Sequence, residues 1–249
     1  AECGINPRGG LYKLEPLQPA HRSAMPLNTD LRQRVMIDTG RLDWQDDVAT
    51  GVRLKPLACT AHDPVQRTDI IEYPAGARID NATLGGAEIL VLAGLLEDEF
   101  GDEFANYPPG SYLKLPSGES AKLASTAGCT LFIKRGHPAT LDVRERVVLR
   151  PQERAWQPGL VPGLRVLSLG EFEGAHTALV EWAPGTRFQY HRHYGGEEIF
   201  VMEGVFQDEY GDYPAGTWLR SPHMSEHVPF SEPGCLIFVK VGHLLMESV

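Results

Sequence analysis

Cysteine is scarce in this chain of 249 residues: Cys3, Cys59, Cys129 and Cys235 stand far apart, and no pair has the C-x-x-C spacing. That excludes a disulfide framework and a zinc ribbon, and it suits a reducing, cytoplasmic setting. Long apolar runs are missing as well. No stretch of eighteen or more apolar residues occurs, so no membrane span is expected. Basic residues are the minority, 23 Lys and Arg against 33 Asp and Glu for a net charge of −10, which argues against nucleic acid held on a basic patch. Acidic runs such as Glu97, Asp98, Glu99 and Asp102 read as solvated turns. Long helical periodicity is nowhere evident.

What is present is a module used twice. Val35 to Trp44 and Val147 to Trp156 span the same nine steps, and each tryptophan is followed seven residues later by a glycine, Gly51 and Gly163. TDIIEYPAGARI from Thr68 matches TALVEWAPGTRF from Thr177. GGAEILVLAGLLEDEFGD from Gly85 and GGEEIFVMEGVFQDEYGD from Gly195 agree at ten of eighteen positions, and AGCTLFIKRGH matches PGCLIFVKVGH further on. Such self-similarity at a fixed period sets the architecture before any local reading does. Each copy alternates short runs of Val, Ile, Leu, Phe, Tyr and Trp with Gly, Pro and Asp turns, the pattern of an antiparallel sandwich or small barrel. The expected organisation is an irregular N-terminal arm over 1–30, one all-β barrel over 31–138 and a second over 146–249, joined by the polar, proline-containing stretch 138–146. Met25 is a candidate natural start, and the arm is expected to lie on the body or on a partner. Homologous halves are expected to pack face to face with approximate two-fold symmetry, as in a homodimer.

The chemistry concentrates between Gly185 and Gly204, GTRFQYHRHYGGEEIFVMEG. His191 and His193 are two apart, so on a strand both imidazoles point to one face. Gly195 and Gly196 then permit a tight reversal, because glycine accepts positive φ. Glu197 returns along the neighbouring strand to the same place. His227 supplies a fourth donor downstream. Two or three imidazoles and a carboxylate form a set that holds a divalent transition metal and leaves positions open. Strand parity puts Ile199 and Val201 beside Glu197, which makes the cavity next to the ion mostly apolar. Tyr190, Met224 and Phe230 are candidates for its entrance, and His223 for a neighbouring acid or base. Cys129 and Cys235 read as buried small hydrophobes.

Gly185, His191, His193, Glu197 and Gly204 fit the first cupin motif, G-x5-H-x-H-x3-E-x6-G, at every spacing. Pro222 to His227 fits the second, apart from Met224 where glycine is usual. Over about residues 30–245 the chain resembles the ChrR-like cupin family. The resemblance implies two tandem cupin barrels of jelly-roll type, a bicupin, with His191, His193, Glu197 and His227 as ligands of one divalent transition metal per chain. Iron and zinc lead, with Mn, Ni, Co and Cu also compatible. ChrR-type anti-sigma factors carry a helical domain with H-x3-C-x2-C zinc ligands ahead of the cupin, and nothing of that type occurs before residue 35. This departure argues against sigma-factor binding.

In the first copy the four donors are replaced. Asn81 or Ala82 stands opposite His191, Thr83 or Leu84 opposite His193, Ala87 opposite Glu197 and Ala121 opposite His227. His62 and His137 offer no substitute cluster. The expected division is a structural or substrate-shaping first barrel and a metal-bearing second. Relatives with this ligand set look like non-haem iron dioxygenases that cleave diketones or aromatic hydroxyketones. A zinc-holding sensor or regulatory module is the alternative. The expected partner is a small molecule, with a homodimer as a further option and neither nucleic acid nor membrane involved.

Overall fold

The computed structural model describes residues 26–59, 66–80, 86–100, 103–117, 122–136 and 146–244. The arm before residue 26, the loop holding His62, positions 81–84, Ala121, His137 and most of the joint at 138–146 lie outside the described residues. Among the described residues the structure is all β, with only short 3-10 turns at Thr39–Arg41 and Pro151–Glu153. Among the described residues no helix is long and apolar enough to cross a membrane.

The two copies build the same sheet. In the first half the strand order is Val147–Leu149, Tyr112–Leu115, Ala87–Gly94, Cys129–Arg135, Arg67–Tyr73, Val52–Cys59 and Gln45–Asp47. In the second it is Val35–Asp38, Thr217–Ser221, Glu197–Asp208, Cys235–Val241, Ala175–Trp182, Leu164–Phe172 and Gln157–Pro158. All the ladders are antiparallel, as expected for alternating strands joined by short Gly/Pro turns.

The leading strands are exchanged. Val35–Asp38, from the first copy, pairs with Thr217–Ser221 of the second barrel. Val147–Leu149, from the second copy, pairs with Tyr112–Leu115 of the first. Each barrel thus has one edge covered by the other copy's chain, which satisfies backbone groups that an open edge would leave to solvent or to another molecule.

Strand alternation divides each sheet into two faces. Inward residues of the first barrel, among them Ile71, Ile89, Val91, Leu113 and Leu131, form one core. Ile199, Val201, Phe206, Leu219 and Ile237 belong to that of the second. The opposite faces meet between the barrels, where Leu90, Tyr112 and Phe132 of one half pack with Phe200, Trp218 and Phe238 of the other. Phe132 and Phe200 stack with ring centroids 4.7 Å apart. Burying each large apolar side chain contributes roughly 1.5–3 kcal/mol, and this shared core holds the halves together.

Two ion pairs cross the same interface. Lys134 of the first barrel lies 2.8 Å from both carboxylate oxygens of Glu198 in the second, and Lys240 of the second lies 2.7 Å from Glu88 of the first. Thr68 and Thr177 each accept a further bond from these lysines at 3.0 Å. Trp218 and Tyr112 donate to Glu198 and Glu88 respectively. The pairs are related by the repeat, so the two halves recognise each other reciprocally as an isologous dimer would. Against its own burial, Glu88 is held below the usual carboxylate range by Lys240 and Tyr112.

One sequence expectation needs correction here. Asp98 is not in a solvated turn: it lies within the strand Leu96–Phe100, is 1% exposed and pairs with Arg146. A buried carboxylate persists only with such a partner.

Candidate metal centre

The second barrel assembles its histidines from two short strands. His191–Arg192 pairs with Glu226–His227, with His191 directly opposite His227. His193 follows and donates its amide to the Ser225 carbonyl at 2.9 Å, while the Met224 amide donates back to the His193 carbonyl at 2.8 Å. Met224 has φ of 66°, a left-handed conformation that glycine adopts freely and a side chain resists. That explains why glycine is usual there.

The double glycine makes the reversal into Glu197. Gly195 and Gly196 have φ of 72° and 71°. A Cβ on Gly196 would lie 2.8 Å from the Ser221 carbonyl oxygen, so close approach excludes a side chain as well. His223 braces this turn: its Nδ1 accepts from the Gly195 amide at 2.9 Å, and its ring meets Tyr194 edge-on.

One candidate ligand atom from each of His191, His193 and His227 falls within 4.8 Å of the others. Nε2 of His193 and Nε2 of His227 face each other at 3.0 Å. Two imidazoles at right angles about one ion, each ~2.1 Å from it, would be ~3 Å apart, so the spacing suits a shared metal. Glu197 Oε2 lies 3.4 Å from His193 Nε2 and 3.8 Å from His227 Nε2. His193, Glu197 and His227 are buried, and His191 is half-buried at the opening.

Neighbouring groups orient the rings. His191 Nδ1 donates to the Gln189 carbonyl at 3.1 Å, and His227 Nδ1 donates to Asp208 Oδ2 at 3.3 Å. Each bond leaves Nε2 with its lone pair free for a ligand role, the usual way a protein fixes the tautomer of a metal-binding histidine. Desolvation, followed by the nearby His227 and His191, pushes His193 down to about 3. Desolvation also lowers His191. Both imidazoles are therefore neutral near pH 7, the form a cation requires. Burial, reinforced by Asp208, raises Glu197 to about 7. Asp208 itself stays well below the usual carboxylate range despite burial, because His227, Tyr213 and Arg34 all donate to it.

Beside this cluster opens a cavity of about 180 Å³, touching His191, Glu197 and His227 and walled by apolar side chains that include Trp182, Phe188 and Phe206. The environment is apolar, but Ile199 and Val201, expected there from strand parity, pack in the barrel core and are not among the lining residues. The aromatics that line it are Trp182, Phe188 and Phe206, whereas Tyr190 is largely exposed and Met224, Phe230 and His223 are not among the lining residues.

Sequence reasoning missed Asp208, Tyr213 and Arg34, which support His227 from behind. The signal was present: Asp98 and Asp208 agree between the copies, as do Arg34 and Arg146, each immediately before its matched valine. In the first barrel Ala87 pairs with Leu115 and Arg135, the register in which Glu197 pairs with Ser221 and Val241. Alanine thus occupies the carboxylate's place. Cys129 and Cys235 begin equivalent strands, are buried and free, and are each pushed up to about 11 by desolvation, consistent with inert packing groups.

The sequence model of the ChrR cupin-like domain matches residues 32–139 and again 144–245. The chain belongs to the ChrR cupin-like family. No curated protein matches it in sequence. Among solved structures, this bicupin is similar to a candidate dioxygenase from Nostoc punctiforme, at 15% identity over 88% of this chain and 85% of that one, TM-score 0.69. It is also similar to an oxalate decarboxylase from Lactobacillus farciminis in complex with formate, at 11% identity over 86% and 87% of the chains, TM-score 0.54. AerE from Microcystis aeruginosa shares 14% identity over 80% and 96%, TM-score 0.55. At these identities the likeness is one of fold.

Proposed function

We propose that this bicupin is a metal-dependent non-haem dioxygenase acting on a small oxygenated substrate of the β-diketone or aromatic hydroxyketone class. The observation that carries this reading is the apolar cavity of about 180 Å³ opening directly onto the imidazole cluster. Its walls hold no Lys or Arg among the described residues, so they suit a substrate with an apolar or aromatic body and chelating oxygens at one end. A second carboxylate at the far end would meet no counter-charge.

His191, His193, His227 and Glu197 would hold one divalent ion. Such an ion supplies Lewis acidity, a template for a chelating substrate and, in the case of iron, redox chemistry with dioxygen. The protein's own contributions follow from the site. Phe188, Trp182 and Phe206 position the apolar body and exclude water from the reacting end. Asp208 keeps the Nδ1 proton of His227 in place. Glu197, buried beside the imidazoles with Oε2 3.4 Å from His193 Nε2, is placed to take the acidic proton of an enolisable diketone or hydroxyketone at Oε2, as a positioned general base does.

The test is oxygen uptake by full-length protein purified anaerobically and reconstituted with Fe(II), on a panel of β-diketones and aromatic hydroxyketones. The expected result is about one iron per chain and uptake of about one O₂ per substrate cleaved. One tightly held zinc and no uptake on any member would instead favour a ChrR-like zinc sensor or regulatory module. That second reading draws on the same donors, since three imidazoles and a carboxylate can close around zinc without an open position.

A further inference from the structure

The second barrel's site is finished by a residue from the first copy. Arg34 immediately precedes the exchanged strand Val35–Asp38, which runs along Thr217–Ser221 at the edge of the second sheet. From there an Arg34 Nη2 donates to Asp208 Oδ2 at 2.7 Å and to the Tyr213 hydroxyl at 2.8 Å. Its guanidinium lies 4.4 Å from the centre of the Tyr210 ring. Tyr213 donates to the other oxygen, Asp208 Oδ1, at 2.7 Å, and the Tyr210 amide does so at 2.8 Å. The carboxylate is thus held at both oxygens, and His227 is the group it faces on the metal side.

The first barrel repeats the clamp, with no imidazole on its aspartate among the described residues. Arg146 precedes the reciprocal strand Val147–Leu149, pairs with Asp98 and lies 3.4 Å from the Tyr107 hydroxyl. Asp98 Oδ1 is buried without a hydrogen-bond partner, and the sequence places Ala121 where His227 stands in the second copy. The molecule therefore contains its own control: one clamp that ends on a histidine and one that does not.

We propose that Arg34 is a positioning residue of the metal centre, donated across the barrel boundary, which fixes Asp208 and through it the Nδ1-protonated tautomer of His227. Docking of the first copy's leading strand and metal affinity in the second barrel are then linked. Removing a partner that orients a ligand in this way typically weakens metal binding by 10–100-fold. The inference rests on the reading that His191, His193 and His227 share an ion.

The experiment is a titration of full-length protein with Co(II), reading affinity by chelator competition and ligand geometry by the visible absorption of the bound ion. Arg34→Ala is expected to lose about 10–100-fold in affinity and to shift the visible bands. Arg34→Lys, which keeps a charge near Asp208 but loses the guanidinium fork, should recover part of both. Arg146→Ala should leave affinity and spectrum as in the wild type even where it lowers the melting temperature. Wild-type affinity and spectrum in Arg34→Ala would overturn the inference alone, as would equal losses in Arg34→Ala and Arg146→Ala. Were Arg34→Ala to unfold, an Arg34→Lys protein indistinguishable from wild type in both readouts would overturn it. Failure of the wild-type chain to bind Co(II) would overturn the metal centre and this inference together.

Discussion

The two barrels share a sheet order, an exchanged leading strand and an Arg–Asp–Tyr clamp, yet they differ at the places where an ion would bind. Asp98 and Asp208 are both buried and both paired with an arginine. Behind Asp208 stands an imidazole, and Ala87 stands where the second barrel has Glu197. The comparison separates two kinds of buried polar group. The clamp ties a leading strand to its sheet in both copies, and an arginine removed from a buried aspartate would leave an uncompensated charge. The donors have no such structural duty, so alanine can stand opposite Glu197 and His227 in the sequence while the first barrel fills its interior with Ile, Val and Leu.

The difference between the halves can be broken most sharply by removing a donor. His193→Ala should abolish stoichiometric metal binding by the whole chain, as measured by elemental analysis after dialysis, whereas Ala87→Glu should add none, because one carboxylate without converging imidazoles does not hold a transition metal. Retention of one ion by His193→Ala would put metal binding in the wrong barrel. The interface should respond alike from both sides. Lys134→Met and Lys240→Met each remove the lysine facing a buried glutamate, leaving Glu198 to Trp218 and His243 and Glu88 to Tyr112 and Thr177, and each should cost roughly 3–5 kcal/mol in urea unfolding. A large inequality between the two would show that the reciprocal pairs are not energetically equivalent.

Smaller effects sharpen the site itself. Gly196→Ala forces a side chain into left-handed backbone against the Ser221 carbonyl, and should cost about 2 kcal/mol by the same unfolding measurement. Metal affinity should depend on pH through Glu197. Its carboxyl is raised to about 7, so below that value a proton occupies the group and an incoming cation must displace it. Affinity should therefore fall as the pH drops below about 7 towards about 5, and Glu197→Gln should flatten part of that dependence as well as weaken binding. His193, pushed down to about 3, is neutral throughout that window and adds nothing to it. Finally, Met224→Gly relieves a left-handed side chain at 66° and should raise stability by about 0.5 kcal/mol, since the relief is partly offset by glycine's greater freedom when unfolded.

Much of the site was legible because its donors lie close together in sequence. His191, His193 and Glu197 occupy seven consecutive positions, and the period of a strand together with two glycines is enough to bring them to one point. His227 needed the second motif. Asp208 and Tyr213 were harder, since an aspartate in an acidic run looks like a solvated turn when read locally. Only its agreement with Asp98 marks it as buried. Arg34 was the least visible, because it precedes a strand whose partner is some 180 residues away, Val35 opposite Arg220, and periodicity carries no information about which sheet edge a strand will join.

The amino-acid sequence by itself determined the doubling of the module, the β class of each copy and the restriction of a full donor set to the second half, because repetition, side-chain alternation and the identity of ligand residues are properties of order along the chain. The tertiary structure alone decided that the leading strands change places, that Lys134 and Lys240 reach across to Glu198 and Glu88, and that an arginine of the first copy holds the aspartate behind His227. These are pairings between residues far apart in sequence. Which of them forms depends on how two closed sheets bury their outer faces against each other, a free energy of the assembled pair that no single segment contains.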